Sequence, residues 1–324
     1  MRGIEDFIQS GSGVSTREGA GTGVVARRRG RGRPPRRPGA GTAPRLTLIR
    51  ARVAFAAVSS PNERRIKLTL QYDGSGFFGW QVQPGARTIQ GVLEEAVSRL
   101  ANRPTTVVGA GRTDRGVHAT GQVASVLVPG KWTPDSLRRA LNAILPPDIR
   151  VSAAEEVPRD FHARFDATAR SYVYRVGTTE SALSPFRRRW CWPLARELDR
   201  WVLDAAAGQI VGDHSFRAFA KAGQEERGDR CTVMRAEWRD WSRFGVELHI
   251  TANRFLHHMV RYLVGTMVEM ALGRRPLADM ARLLAGEPGL ETSPPAPPEG
   301  LFLTHVAYNE TERQPEEAGN EDLP

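Results

Sequence analysis

Apolar and polar residues alternate along Ile66-Lys67-Leu68-Thr69-Leu70-Gln71-Tyr72, the period of a strand with one buried face. Asp73-Gly74 and Gly76 predict a turn, and Phe77-Phe78-Gly79-Trp80-Gln81 follows as an aromatic anchor. From Ile89 the period changes. Ile89, Val92, Leu93, Ala96, Val97 and Leu100 form one apolar stripe at helical spacing, with Thr88 at the N-cap and Asn102-Arg103-Pro104 ending the run. Two β-like runs, 105–108 and 123–128, flank a polar stretch. A second helix is predicted over Asp135 to Leu145, entered through Pro134 and stopped by Pro146-Pro147, and Asp148 to Val157 reads as a strand. Strand–helix–strand–strand–helix–strand is the split ferredoxin-like order.

The pattern then repeats. A strand is expected from Ala169, which puts Tyr172 and Tyr174 on one face. Leu198 to Gly208 reads as a helix, Cys231 to Trp241 and Phe244 to Thr251 as a strand pair, and Leu277 to Leu284 as a short helix. Gly300-Leu301-Phe302-Leu303 begins a last strand. The most apolar stretch, Phe255 to Leu272, carries His257, His258, Arg261 and Glu269, so it is expected to be an amphipathic helix and not a membrane span.

Composition divides the chain further. Of the net charge of +10, residues 1–61 supply +9 and residues 310–324 supply −5, leaving +6 on 62–309. Residues 1–61 are rich in Gly, Arg, Pro and Ala and are expected to be disordered, and 310–324 to be a frayed acidic tail. The mildly basic middle permits nucleic-acid binding. Two cysteines, Cys191 and Cys231, give neither metal spacing nor a disulfide framework, which suits a reduced, cytoplasmic protein. His257 and His258, being adjacent, are expected to point apart on a helix and not to share a ligand.

The densest chemistry lies in Gly109-Ala110-Gly111-Arg112-Thr113-Asp114-Arg115-Gly116-Val117-His118-Ala119-Thr120-Gly121-Gln122-Val123. It reads as a loop held by strands at both ends, with four glycines allowing backbone shapes that side chains forbid. It is neither a dinucleotide fingerprint nor a phosphate-binding loop, since the glycine spacing is wrong and no Gly-Lys-Ser/Thr follows. Gly-Arg-Thr-Asp at 111–114, Gly-Val-His-Ala at 116–119 and Gly-Gln-Val at 121–123 resemble the signature of the TruA family of tRNA pseudouridine synthases. So do Phe161-His162-Ala163-Arg164 with Arg170-Ser171-Tyr172-Val173-Tyr174, and Phe255-Leu256-His257-His258-Met259-Val260-Arg261.

The resemblance implies an α+β fold of two ferredoxin-like, RRM-like halves, 62–165 and 166–309, whose largely antiparallel sheets form a central catalytic cleft. It implies isomerisation of uridine to pseudouridine in the anticodon arm of tRNA, around positions 38 to 40, by a homodimer without metal or other cofactor. Asp114 takes the place of the catalytic aspartate, acting at C1′ or, through a glycal, at C2′. Tyr172 takes that of the active-site tyrosine, lying flat on the base, its hydroxyl available for proton transfer. Arg112 or Arg261 would keep Asp114 ionised, and Arg115 or Arg261 would fill the gap left by the flipped base or hold a phosphate. The resemblance begins after residue 61, which favours a translated upstream region there over an RNA-binding arm or a transit peptide. Two rivals remain: an RNA binder without catalysis, indifferent to Asp114→Asn, and an aspartate-dependent hydrolase, which would turn over a small glycoside without RNA.

Overall fold

The computed structural model describes residues 62–221 and 228–309; the expectations for 1–61 and 310–324 fall outside the described residues. Strand β1 (Glu63–Tyr72) has the alternating burial its sequence predicts, with Ile66, Leu68, Leu70 and Tyr72 inward. Helix α1 (Ile89–Ala101) starts at Thr88, whose hydroxyl accepts the Gly91 N–H, and ends at Asn102 in the left-handed conformation. Strands β2 (Val108–Gly109) and β3 (His118–Pro129) follow, then α2 (Pro134–Ile144) and β4 (Ile149–Val157). A reciprocal Thr133–Ser136 capping box fixes the start of α2.

The second set comprises β5 (Ala169–Gly177), β6 (Trp192–Pro193), α3 (Arg200–Gln209), β7 (Gly212–Ser215), β8 (Arg230–Trp241), β9 (Gly245–Ala252), α4 (Met259–Ala271), α5 (Asp279–Leu284) and β10 (Leu301–Ala307). Ten strands form one sheet in the order β4-β1-β3-β10-β5-β9-β8-β7, with β2 on β3 and β6 on β5. The ladders are antiparallel except β3–β10 and β5–β6. The sheet therefore runs unbroken from one set of elements to the other through β3 and β10.

That junction places the site. One edge of β3 is shared: β2 pairs with it at Ser125 and Ala124, and β10 pairs with it at His118 and Ala119. The Asp114 segment leaves the sheet where one neighbour gives way to the other. It is shorter than the sequence predicts, because the ladder already holds His118 to Gln122. Nor do all four glycines of the motif serve a forbidden backbone shape. Only Gly116 has positive φ, at 80°. Gly121 answers a close approach: a Cβ there would lie 1.9 Å from the Thr304 carbonyl oxygen of β10.

Helix α4 also departs from expectation. Met259, Val260, Leu263 to Val268, Met270 and Ala271 are all buried, so it is a core helix and not an amphipathic surface one. Among the described residues no helix is long and apolar enough to cross a membrane.

Candidate active site

The Asp114 segment is braced on several sides. Thr113 accepts the Trp80 backbone N–H at 3.0 Å through its carbonyl, and its hydroxyl meets that of Tyr72 at 2.8 Å. Gln122 donates to the Gly111 carbonyl at 2.9 Å, and the Ala110 N–H to that of Val123 at 2.7 Å. Burial pushes the Tyr72 hydroxyl up to about 12, so this brace keeps its proton at any ordinary pH.

Asp114 is left half-buried, with its carboxylate facing the second set of elements. Oδ2 lies 3.5 Å from Nη1 of Arg261 and 3.3 Å from Nε2 of His258, and Oδ1 lies 3.4 Å from Nε2 of His257. Of the two arginines expected beside the aspartate, Arg261 is the one within ion-pair distance. Its guanidinium is fixed by donating Nε–H to the Ala296 carbonyl at 2.7 Å, while the Ala296 N–H returns a bond to the Arg261 carbonyl. Arg112 stands exposed on the cleft wall, outside ion-pair reach of Asp114.

The two histidines do not behave as adjacency suggested. They precede α4, and His258 sits at its N-cap in the left-handed region, with φ 66° and ψ 4°. Histidine tolerates that region better than most side chains, yet holding it there still costs free energy. The reversal turns both rings toward Asp114, with centroids 4.1 Å apart. Their nitrogens and the Asp114 oxygens all lie within 4.8 Å of one another, so sequence adjacency does not keep them from sharing one partner. With a guanidinium already on that carboxylate, a metal ion there would meet a fixed positive charge. Burial lowers the basicity of His258, with His257, Arg261 and Lys221 pressing the same way against Asp114.

Tyr172, on β5, is 9% exposed and stands edge-on to Phe255, with ring centroids 5.0 Å apart at 84°. Burial, then the neighbouring Tyr72 and Asp114, raise its pKa, so the hydroxyl stays protonated. Tyr174, on the same face, is fully buried and donates its hydroxyl proton to the Pro297 carbonyl at 2.7 Å, a packing role. Asp114, Tyr172, Arg261, Phe255 and both histidines line one open cleft of about 1560 Å³. Arg112, Arg115, Arg164 and Lys221 are exposed along its walls. The Arg115 guanidinium lies 4.4 Å from the Phe78 ring centroid.

The sequence reading gave no role to Arg170. Its Nη1 donates to the carbonyls of Ala167 and Asn253 at 3.1 and 3.0 Å, and its Nη2 to those of Ala110 and Arg164 at 2.9 and 2.8 Å. One guanidinium thus ties the Asp114 segment to the start of the histidine segment. Only its place in the Arg-x-Tyr-x-Tyr motif signals this, and nothing local reveals the four carbonyls. Replacing it by Met should leave them without a donor. The expected loss is about 2–3 kcal/mol, a fall in Tm of about 5 °C or more by thermal melt, with slower single-turnover rates.

A half-buried carboxylate–guanidinium pair beside a tyrosine, in an open cleft walled by exposed cations, suits a polyanion too large for a closed pocket. The chain matches the family described as tRNA pseudouridine synthase over residues 69–166 and 206–309. It is 41% identical over 253 residues to the tRNA pseudouridine synthase A of Limosilactobacillus fermentum, covering 76% of this chain and 96% of that one. The Citrifermentans bemidjiense protein of that name is 40% identical over 254 residues, covering 76% and 98%, and the Xanthobacter autotrophicus one 40% over 247 residues, covering 75% and 99%. A solved structure of a Cbf5-Nop10-Gar1 complex is similar at a TM-score of 0.31 and 10% identity, covering 75% of this chain and 50% of that one, too distant to bear on the site. The chain belongs to the tRNA pseudouridine synthase family, isomerases that convert uridine to pseudouridine in tRNA.

Proposed function

We propose that this enzyme acts on uridines of the tRNA anticodon arm, around positions 38 to 40, and that Asp114 attacks ribose C1′ once the target uridine has left its stack. The observation that carries this reading is the Asp114 carboxylate, held against Arg261 in the same cleft as Tyr172. A guanidinium lies 3.5 Å from one oxygen, and a carboxylate so placed is a nucleophile of the kind the reaction needs. Flipping the uridine costs a few kcal/mol, and the cleft walls offer what offsets it. Tyr172 faces the base and limits escape of the cleaved uracil, while Arg112 and Arg261 grip the backbone phosphates. Arg115, exposed on the cleft wall and stacked on Phe78, fills the gap left by the flipped base. The cleft lies between two halves, residues 62–165 and 166–309. The working form is a cytoplasmic homodimer that needs no metal or other cofactor.

The test is tritium release from tRNA labelled as [5-³H]uridine. Release is expected from a tRNA whose uridines at 38–40 are intact and not from one in which they are cytidines. Equal release from both would sink the anticodon-arm assignment while leaving the isomerase reading.

A further inference from the structure

The isomerisation moves one proton. The C1′–N1 bond breaks with its electron pair going to N1, C5 of the turned base bonds C1′, and C5 must then lose its hydrogen while N1 gains one. Resting on the reading of Asp114 as the group that attacks C1′, we propose that His258 is the proton carrier: its Nε2 takes the hydrogen from C5 and the resulting imidazolium protonates N1. The imidazole ends neutral, as it began, and no further reactant is consumed. Exchange of the imidazolium with water sends a C5 tritium into solvent.

Four observations point to this residue. His258 Nε2 lies 3.3 Å from Asp114 Oδ2, so it borders whatever is joined to C1′. That separation is an ion-pair distance and longer than a good hydrogen bond, which leaves Nε2 able to turn to the base when the ring proton is on Nδ1. The left-handed backbone at φ 66° is a standing cost that aims the ring into the cleft, and strain of this kind gathers at working sites. Burial keeps the imidazole uncharged near neutral pH, the state that accepts a proton. The competing groups are less suited. Asp114 leaves C1′ as C5 bonds it, and its carboxylate returns to the Arg261 guanidinium. Tyr172 holds its own proton, so it is a poor base. His257 stands at the more exposed side of the carboxylate, on Oδ1. The charged and titratable groups around His258 are Asp114, His257, Arg261 and Lys221, with the Tyr262 ring 6.3 Å away.

The test compares the full-length wild type with His258→Gly and His258→Asn. Glycine adopts positive φ freely and asparagine tolerates it, so both should fold. Single-turnover tritium release is expected to fall about 100-fold in each, with tRNA binding unchanged. Added imidazole should restore part of the rate in the glycine variant, following the neutral fraction of the buffer. A normal isotope effect with [5-²H]uridine should appear in the variants, because C5 deprotonation has become slow. The acid limb of the wild-type pH profile, set by an imidazole of lowered pKa, should vanish. Rates within a few-fold of wild type would overturn the proposal. So would a loss that neither responds to imidazole nor shows an isotope effect, the behaviour of a mere prop for Asp114. A wild type that releases no tritium would remove the reading of Asp114 itself and the proposal with it.

Discussion

Asp114→Asn should lower single-turnover tritium release from tRNA by about 10⁴-fold or more, the scale of losing a nucleophile, with tRNA binding within a few-fold of wild type. The substitution keeps the shape of the side chain and removes its charge. Arg261 is anchored separately to the Ala296 carbonyl, so the cleft should keep its form. The amide keeps its contacts with the two imidazole rings, yet it cannot bond C1′ and leave again as a carboxylate does. A loss of 10⁴-fold corresponds to about 5.5 kcal/mol of transition-state stabilisation. Full release by this variant would remove Asp114 as the nucleophile; release by neither it nor the wild type, with tRNA binding intact, would return the RNA-binder reading, and turnover of a small glycoside without RNA would return the hydrolase.

Gly121→Ala carries the second large expectation, on stability. The added Cβ would sit 1.9 Å from the Thr304 carbonyl oxygen and 2.6 Å from its carbon, and both are backbone atoms. A flexible side chain could swing away, but a strand held by ladders on both sides must move as a unit. The parallel β3–β10 contact is short, with Phe302 opposite His118 and Leu303 opposite Ala119, so separation of the two strands is the available relief. We expect a loss of about 3 kcal/mol or more, read as a fall in Tm of about 6–12 °C. Activity should drop as well, since the Asp114 segment springs from this junction. An alanine variant that melts with wild type would show that the strands have room to part.

Local periodicity carried much of this into the sequence. The α1 stripe with its Thr88 cap and the alternation of β1 are interactions between near neighbours, and both were legible. The motifs also singled out Arg112, Asp114, Tyr172 and Arg261, and these four line one cleft. What the sequence hid depends on distant contacts. His118 looks like loop until β10 arrives beside it. Helix α4 looks amphipathic, yet ten of its thirteen residues are buried once the fold closes around it. The histidines look divergent because a helix was assumed to run through them, and one left-handed residue reverses that. The reach of Arg170 to four carbonyls exists only in three dimensions.

The order in which the chain leaves the ribosome gives the β3–β10 junction a consequence in time. Residues 62–157 carry the whole strand–helix–strand–strand–helix–strand set, and its ladders can close early in synthesis. His118 must wait for Phe302, and Asp114 must wait for His258 and Arg261. Such distant pairings are slow to find one another and close last. The nascent enzyme therefore emerges with its aspartate in place but without the cations and imidazoles that arm it. Until residues 257–302 have been made, the Asp114 carboxylate lacks all three side chains that surround it and the strand that pairs with His118.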